Sequence, residues 1–363
     1  MYVLDCRTAN AHYPGIGRYT FELARALARI APLTVILNPL QASPEFDFRE
    51  VSAKRLAVPH TPRSLAQQWV VPARVRSLRA TLYHAPFYLR PFWFDLPAVV
   101  TVYDLIPLKV PAGFSRAQRM LYHLAHWLTV RTATHLLTLT EAARADFAER
   151  FHLPEAAISA VPPGLPANFK PQPTALLAQV RERYALPADY LLYVGSRKPH
   201  KNLTALIAAV AGLPVSAPTL VIAGPEDARF PQARQAAADL GDRVRFLGRV
   251  PDEVLPALYS GAQLYVQPSL FEGFGFPVLE AMGCGTPVVC AGIPALREVA
   301  QSAALYFEPT QVGAITQALA EALEHPSLRT ALRERGLLRA RFFTWERAAV
   351  ETAKVYEQVA GGR

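Results

Sequence analysis

Short apolar segments alternate with longer amphipathic segments along almost the whole of this 363-residue chain. The short segments are typical of β-strands and the longer ones of helices, and this alternation favours parallel sheets with helices on both faces. The predicted strands are Tyr2–Asp5, Leu33–Leu37, Leu82–His84, Ala98–Tyr103, His135–Leu139, Tyr190–Val194, Thr219–Ala223, Val244–Leu247, Gln263–Gln267 and Thr286–Cys290. The predicted helices include Tyr19–Ile30, Arg116–Thr132, Gln311–Glu324 and one from Thr344 onward.

A proline-rich stretch between Val161 and Pro173 divides these strands into two series, because neither periodicity continues through it. A chain of 363 residues also exceeds one ordinary core. We therefore predict an α/β protein with two Rossmann-like, doubly wound domains facing each other across a deep cleft. Residues 1–165 would form the N-terminal domain and residues 166–345 the C-terminal domain, with a final helix over 346–363 packing back on the N-terminal domain.

Composition narrows where the protein is expected to be found and what it is expected to bind. No stretch has the apolar length of a membrane span, and the amino terminus lacks a signal peptide's pattern, so a cytoplasmic location is expected. The three cysteines have no metal-ligand spacing, so no metal centre is predicted.

The net charge is +9, and residues 1–165 hold most of it, with 18 Lys or Arg against 11 Asp or Glu. This bias indicates an anionic substrate or membrane surface; nucleic acid is disfavoured because no recognition motif is present.

Two carboxylates bracket a glycine turn in the most informative segment, residues 265–290. The predicted strand Gln263–Gln267 leads into the glycine turn Gly273-Phe-Gly275, and a helix restarts at Pro277, which would leave backbone N–H groups available for an anion such as a phosphate. Glu272 and Glu280 could accept hydrogen bonds from hydroxyl groups at opposite ends of one ligand. The alternative is that Glu280 only complements the helix dipole and Glu272 is only solvated.

Cations follow the first strand of the second series, where the chain reads Gly195-Ser-Arg-Lys-Pro-His-Lys-Asn-Leu203. Arg197, Lys198 and Lys201 could neutralise a diphosphate through charge-assisted hydrogen bonds. A solvated basic loop is the alternative.

The segment Glu-Gly-Phe-Gly-Phe-Pro-x-x-Glu-Ala-Met resembles the signature of the retaining, nucleotide-sugar-dependent glycosyltransferases of family 4, which have the GT-B fold. The resemblance implies that Glu272 contacts the donor sugar, that Glu280 binds the ribose and that Lys201 binds the diphosphate. Arg197 stands one residue later than the arginine of many members. Further donor-binding positions implied by the resemblance are Ser196, Val250, Gly273, Phe274, Gly275 and Phe276.

In the N-terminal half, Tyr13-Pro-Gly-Ile-Gly-Arg-Tyr19 precedes a predicted helix but lacks the third glycine of a dinucleotide fingerprint, which disfavours a hydride-transfer enzyme. It resembles the family's loop over the donor phosphates and acceptor, so Gly15, Gly17 and Arg18 are candidates. Tyr103 and Asp104 stand where relatives commonly have His-Asp near the reacting sugar. A tyrosine there is either a core aromatic or a hydrogen-bond donor to the sugar, and its ordinary phenol makes a poor base.

Basic side chains also lie close to aromatic ones in this half. Arg63, Arg74, Arg76 and Arg79 flank Trp69, and one predicted helix carries Arg116, Arg119, Tyr122, His123, His126 and Trp127. Such faces are either solvated or rest on anionic lipid headgroups.

The resemblance as a whole implies a metal-independent enzyme without a cofactor. It would transfer a hexose, with GDP-mannose as the favoured donor, to a hydroxyl of a glycan or lipid-linked acceptor. If the basic and aromatic faces described above rest on lipid, the protein would attach peripherally to the inner face of the membrane. A sugar-nucleotide-binding subunit without catalysis and a GT-B epimerase remain as alternatives.

Overall fold

The computed structural model describes residues 1–361, which form two compact units. The N-terminal unit comprises Met1–Leu108, Ser115–Gly164 and the segment from Phe343, and the C-terminal unit comprises Lys109–Phe114 and Leu165–Phe342. The boundary at Gly164 is one residue from the predicted one. The prediction for residues 109–114 differs, since this stretch packs in the C-terminal unit, where a Cβ on Gly113 would lie 3.1 Å from the Phe230 ring.

Each unit contains one parallel sheet. The N-terminal sheet has the order β3-β2-β1-β4-β5-β6-β7, and the C-terminal sheet has the order β10-β9-β8-β11-β12-β13. The strands are β1 Tyr2–Asp5, β2 Leu33–Leu37, β3 Lys54–Ala57, β4 Leu82–Ala85, β5 Ala98–Thr101, β6 His135–Thr138, β7 Ile158–Ala160, β8 Tyr190–Val194, β9 Thr219–Ala223, β10 Val244–Gly248, β11 Leu264–Gln267, β12 Val288–Ala291 and β13 Ala304–Phe307. All ten predicted strands are present within two residues of their predicted ends, whereas β3, β7 and β13 were not predicted.

Helices cover both sheets. They are α1 Pro14–Leu27, α2 Gln67–Arg76, α3 Ile106–Lys109, α4 Arg116–Thr132, α5 Glu141–Phe151, α6 Thr174–Arg183, α7 Leu203–Ala211, α8 Gln232–Ala236, α9 Leu255–Gly261, α10 Phe276–Gly283, α11 Pro294–Ala300, α12 Val312–Glu324, α13 Pro326–Ala340 and α14 Trp345–Gly361. Helices α4, α12 and α14 match predicted amphipathic segments, whereas α13, with 15 residues, was not predicted. Helix α1 begins five residues before its predicted start at Tyr19, so both glycines of the first glycine motif lie in its first turn.

Both sheets have the doubly wound order, in which the direction of winding reverses beside the first strand. The reversal lies between β1 and β4 in the N-terminal unit and between β8 and β11 in the C-terminal unit. In open parallel sheets, ligands bind outside the carboxyl ends of the strands at such a switch point. The loops after β8 and β11 carry the two charged motifs of the C-terminal half, so the topology brings these motifs to one sheet edge.

Helix α14 completes the N-terminal unit. The Tyr356 hydroxyl and His84 Nδ1 lie 2.6 Å apart, and the rings of Trp345 and Tyr19 are 5.8 Å apart at their centroids. Where the chain enters this helix, a Cβ on Gly164 would lie 2.3 Å from the Trp345 nitrogen, so only glycine fits. Both ends of the chain therefore build one core.

Candidate active site

A lysine and a carboxylate from the two switch-point loops of the C-terminal unit form an ion pair. Lys201 ends a short 3-10 helix, Pro199–Lys201, after β8, and Glu272 follows β11. Lys201 Nζ lies 2.7 Å from Glu272 Oε1, and the two side chains are only 17% and 8% exposed. The pair joins residues 71 positions apart, which the sheet order makes neighbours.

The Glu272 carboxylate is fixed by further donors on the same oxygen. Ser269 Oγ donates to Glu272 Oε1 at 2.7 Å and Gln267 Nε2 donates to it at 2.8 Å. The Tyr265 hydroxyl in turn donates to Gln267 Oε1. Lys201, Ser269 and Gln267 thus all contact the same carboxylate oxygen, Oε1. Gln267 and Ser269 were not predicted as site residues, although their polar side chains at and just after the carboxyl end of a buried strand were the available signal.

Glu272 is ionised at neutral pH. Burial raises the pKa of this carboxyl, but the Lys201 charge and the hydrogen bonds from Lys201 and Ser269 outweigh it, so the pKa is lowered from its ordinary value. The site therefore presents a fixed negative charge beside an ammonium group.

The glycine turn after Glu272 begins helix α10. Gly275 has φ +103°, and a Cβ there would lie 2.4 Å from Leu296 Cδ2, so backbone conformation and space both require glycine. Phe274 is buried, and its ring packs 4.9 Å from that of Phe276.

Within residues 1–361 no side chain caps this helix end. Pro277 has no N–H, and the N–H groups of Val278 and Leu279 donate to the Gly275 carbonyl at 3.0 and 3.3 Å. The Phe276 N–H is therefore the donor of the first turn that is left for an anion.

Glu280 is the fifth residue of α10 and lies just beyond its first turn, whereas a helix that starts at Pro277, as predicted, would have placed it within that turn. It is 6% exposed, and its Oε2 accepts a hydrogen bond of 2.9 Å from the Tyr259 hydroxyl. A buried carboxylate needs hydrogen-bond donors, and the Tyr259 hydroxyl is a donor that orients the Glu280 side chain.

Arg197 is a buried cation with unused donors. Its side chain is 4% exposed, and Nη1 pairs with Glu226 Oε1 at 3.1 Å. Its guanidinium carbon lies 4.5 Å from the centroid of the Phe246 ring, and Arg234 also lies over that ring, at 4.8 Å. Arg197 Nε and Nη2 are buried without a hydrogen-bond partner among residues 1–361. Buried unpaired donors are costly, so their presence points to a ligand that would pair with them.

Two other predicted donor-binding positions lie at the carboxyl edge of the same sheet. The Ser196 carbonyl accepts a hydrogen bond of 2.7 Å from the Tyr193 hydroxyl. Val250 is 7% exposed and follows β10 by two residues. Both come after strand ends, as the sequence predicted.

In the N-terminal unit, the two glycines of the first motif differ in their surroundings. A Cβ on Gly17 would lie 3.0 Å from the Thr8 carbonyl oxygen and 3.1 Å from the Phe46 ring, whereas a Cβ on Gly15 would meet nothing within 4 Å. Gly17 therefore allows α1 to approach the segment after β1, and Gly15 lies open.

Tyr103 and Asp104 have structural partners in this unit. The Tyr103 hydroxyl donates to the Pro86 carbonyl at 2.9 Å, and burial raises the pKa of this phenol well above its ordinary value. Asp104 Oδ1 accepts a hydrogen bond of 2.9 Å from the Ile106 nitrogen at the start of α3. The Tyr103 side chain matches the core-aromatic alternative, with its hydroxyl satisfied by backbone.

Residues 1–361 contain neither a candidate metal centre nor a helix able to span a membrane. This part of the chain has no group of three His, Cys, Asp or Glu side chains placed to hold a metal ion. It also has no helix with the length and apolarity needed to cross a bilayer.

Known proteins are similar to this chain in sequence and in fold. Residues 13–169 match the family described as Glycosyltransferase Family 4, and residues 181–339 match that described as Glycosyl transferases group 1. The O-antigen chain mannosyltransferase B of Escherichia coli is 30% identical over 375 residues, covering 96% of this chain and 98% of that protein. The O-antigen chain mannosyltransferase RfbU of Salmonella typhimurium is 30% identical over 211 residues, covering 58% of this chain and 56% of that protein.

Two solved structures share the fold over nearly their whole length. The sucrose-phosphate synthase of Thermosynechococcus elongatus has a TM-score of 0.78 at 23% identity and covers 100% of this chain and 99% of its own. Anabaena Alr3699/HepE, in complex with UDP and glucose, has a TM-score of 0.78 at 19% identity, covering 99% of this chain and 100% of its own.

Proposed function

Because this chain belongs to glycosyltransferase family 4 and has the GT-B fold, we propose that it is a retaining hexosyltransferase acting on a nucleoside diphosphate sugar. The acceptor would be a hydroxyl of a glycan or of a lipid-linked saccharide. The Lys201–Glu272 pair beside the uncapped start of α10 is the observation that carries this proposal, because it combines a phosphate-binding geometry with a carboxylate for sugar hydroxyls.

In the proposed reaction, the bond between sugar C1 and the diphosphate oxygen breaks, and C1 bonds to the acceptor oxygen on the same face. Negative charge builds on the departing diphosphate, where Lys201, Arg197 and the Phe276 N–H would stabilise it. Glu272, held on one oxygen by three donors, would orient the sugar and stabilise its positive charge.

The acceptor proton would pass to the departing phosphate oxygen, so that no side chain acts as the base. Tyr103 supports this route, because a phenol whose pKa is raised by burial stays protonated near neutral pH. We also propose that the reaction needs neither a divalent metal nor a cofactor, since Lys201 and Arg197 supply the positive charge that a metal would bring.

We favour GDP-mannose as the donor. Two relatives are named mannosyltransferases, and the longer match extends over nearly the whole of both chains. Both are also named as O-antigen chain enzymes, which supports polysaccharide synthesis. Alr3699/HepE, by contrast, is described with UDP and glucose, so the shared fold alone does not select the nucleotide.

The test of the donor is transfer by the purified protein from a panel of GDP-, UDP-, ADP- and dTDP-sugars, with and without a chelator. We expect GDP-mannose to give the highest turnover, no loss in chelator and an α-linked product detected by nuclear magnetic resonance. A β-linked product would contradict retention, and loss of turnover in chelator would contradict metal independence.

The test of the site is a pair of variants, Lys201→Met and Glu272→Gln. Each should lower turnover by about 10²-fold to 10³-fold, the usual effect of removing one group that stabilises transition-state charge. Lys354→Met is the matched control, since Lys354 and Glu351 form an exposed pair at 2.9 Å. Near-native transfer by both site variants would contradict the assignment.

A sugar-nucleotide-binding subunit without catalysis is the second candidate, favoured by the structural partners of Tyr103. It predicts thermal stabilisation by the donor without any transfer or hydrolysis.

A further inference from the structure

Arg197 is held in a way that keeps one edge of its guanidinium group free. Its Nη1 lies 3.1 Å from Glu226 Oε1, and its guanidinium carbon lies 4.5 Å from the centroid of the Phe246 ring. The two donors without a partner among residues 1–361 are Nε and Nη2. These nitrogens are neighbours on one edge of the planar group, here named the Arg197 fork, and each directs an N–H bond outward from that edge.

Other arginines of this chain show what such an edge binds. Arg7 Nε and Nη2 donate to the two carboxylate oxygens of Asp5 at 2.8 and 2.5 Å. Arg229 Nε and Nη2 bind Asp227 in the same way, at 2.9 and 2.6 Å. The Arg197 fork has no such carboxylate among residues 1–361, although its side chain is only 4% exposed. A buried fork of this kind fits two oxygens of one phosphoryl group.

Glu226 and Phe246 each contact a second arginine. Glu226 Oε1 accepts a hydrogen bond of 2.9 Å from Arg234 Nε, in addition to the one from Arg197 Nη1. The Arg234 guanidinium carbon lies 4.8 Å from the centroid of the Phe246 ring. The two guanidinium groups therefore share one carboxylate oxygen and one aromatic ring, and none of these contacts uses the Arg197 fork.

Backbone contacts join the loops that carry this ion pair. Arg197 follows β8 and Glu226 follows β9. The Gly195 N–H donates to the Ala223 carbonyl at 2.9 Å, and a Cβ on Gly224 would clash with the Gly195 carbonyl oxygen, so the two loops touch. A side chain that is already fixed in this way loses little conformational entropy when a ligand binds, which is the basis of preorganisation.

We propose that Glu226 and Phe246 are positioning residues, which orient Arg197 so that Nε and Nη2 together bind one phosphoryl group. This deepens the proposed function and rests on it, because the phosphoryl group would belong to the diphosphate of the donor. Glu226 and Phe246 act through Arg197 rather than on the ligand, by fixing the plane of the guanidinium group.

The negative charge of Glu226 lets the sign of one effect test the proposal. A carboxylate near an anion site repels the anion, so on charge alone Glu226→Ala should tighten the binding of a diphosphate. If Glu226 positions Arg197, its loss lets the arginine adopt other rotamers, and binding should instead weaken about threefold to tenfold. Glu226→Gln keeps an oxygen that accepts from Arg197 and should bind at least as tightly as the wild-type protein.

The experiment is calorimetric titration with inorganic pyrophosphate and with GDP. Pyrophosphate is the probe for the Arg197 fork, since it offers phosphoryl oxygens without a base or a sugar. Glu226→Ala and Phe246→Leu should weaken the binding of both probes, whereas Phe246→Tyr, which keeps the ring, should not. Asp227→Ala is the matched control: it removes the same charge from the adjacent position and releases Arg229, which is 72% exposed. It should leave binding unchanged or slightly tighter.

A double variant separates positioning from a general loss of structure. No fork remains to be oriented in Arg197→Lys, so adding Glu226→Ala to it should change pyrophosphate binding by less than about twofold. Equal losses from Glu226→Ala in both backgrounds would overturn the proposal. Unchanged or tighter binding by Glu226→Ala alone would overturn it as well.

The outcomes also separate this proposal from the proposed function. Sugar transfer by the wild-type protein, together with unchanged pyrophosphate binding in Glu226→Ala, would reject the positioning role alone. Weakened pyrophosphate binding in Glu226→Ala, without transfer from any sugar of the donor panel, would support the positioning role and reject the transferase. A wild-type protein that binds neither pyrophosphate nor GDP would overturn both.

Discussion

At the scale of single residues, the Lys201–Glu272 pair shows how two buried charges can coexist. Burying either charge alone costs several kcal/mol, while together they are compensated by contact and by the hydrogen bonds from Ser269 and Gln267. The pair therefore preorganises two opposite charges for a ligand, and it adds little net free energy to folding.

We predict that the pair couples energetically in unfolding experiments. Lys201→Met leaves Glu272 buried without its cation, so the free energy of unfolding should fall by about 2 kcal/mol, less than for a fully buried pair because Lys201 is 17% exposed. Lys201→Met/Glu272→Gln should recover most of that loss without recovering transfer. Urea unfolding measures both; additive losses in the double variant would contradict the coupling.

Arg197 gives a second prediction at this scale. Arg197→Lys keeps the charge but loses the planar contact with Phe246 and the two unpaired donors, so affinity for a nucleoside diphosphate should fall about tenfold to a hundredfold. Calorimetric titration with GDP is the measurement, and Arg229→Lys, in an exposed pair with Asp227, is the control. Equal affinity for both variants would remove Arg197 from the site.

At the scale of elements, the start of α10 depends on one backbone conformation. Gly275 precedes the helix at φ +103°, and the side chain of Leu296 occupies the space that a Cβ would need. The same conformation places the Phe276 N–H at the start of the helix, so the geometry that excludes other residues also shapes the candidate anion site.

We predict that Gly275→Ala lowers the free energy of unfolding by about 2 kcal/mol or more, from the left-handed backbone and from the contact with Leu296. It should also abolish donor-dependent thermal stabilisation. Gly313→Ala in α12 is the control: its Cβ meets nothing within 4 Å, so it should be neutral or stabilising by up to about 1 kcal/mol. Similar melting temperatures for the two variants would contradict this account.

At the scale of the whole molecule, the N-terminal unit is assembled from distant parts of the chain. His84 in β4 lies between Thr101 of β5 and Tyr356 of α14, with Nε2 2.8 Å from the Thr101 hydroxyl. Burial lowers the pKa of this imidazole from 6.5 to about 3, so it stays neutral in the folded protein. Protonation of His84 at low pH would therefore disturb its hydrogen bond with Tyr356 of α14.

We predict that stability falls as the pH drops from about 6.5 toward 3. Between pH 6.5 and about 3, His84 is protonated in the unfolded chain but neutral in the folded chain. Its contribution to the free energy of unfolding is therefore complete above pH 6.5 and decreases by about 1.4 kcal/mol for each pH unit below it, down to about pH 3. His84→Asn should reduce the pH slope of the unfolding free energy by that amount, whereas His12→Asn, at an exposed position, is the control. An unchanged slope in His84→Asn would contradict the assignment.

Local sequence predicted most of the strands and the charged residues of the site, but not the contacts between those residues. Strands such as β8 and β11 are apolar runs bounded by turn residues, and buried parallel strands need no long-range information to be recognised. Strand β3 was missed because Lys54 and Arg55 are exposed, and β7 because it spans only three residues. Chain position alone also could not assign residues 109–114 to the C-terminal unit.

The sequence by itself determined the two doubly wound sheets and the charged and glycine-rich loops at their carboxyl edges, because periodicity and turn chemistry are local properties of the chain. Only the tertiary structure decided which of those side chains meet. It paired Lys201 with Glu272 across 71 residues, left two donors of Arg197 without partners among residues 1–361 and turned an apolar face of α4 to solvent. Contacts of this kind depend on strand order and on which side of a helix the core covers, and both are set by packing of the whole unit.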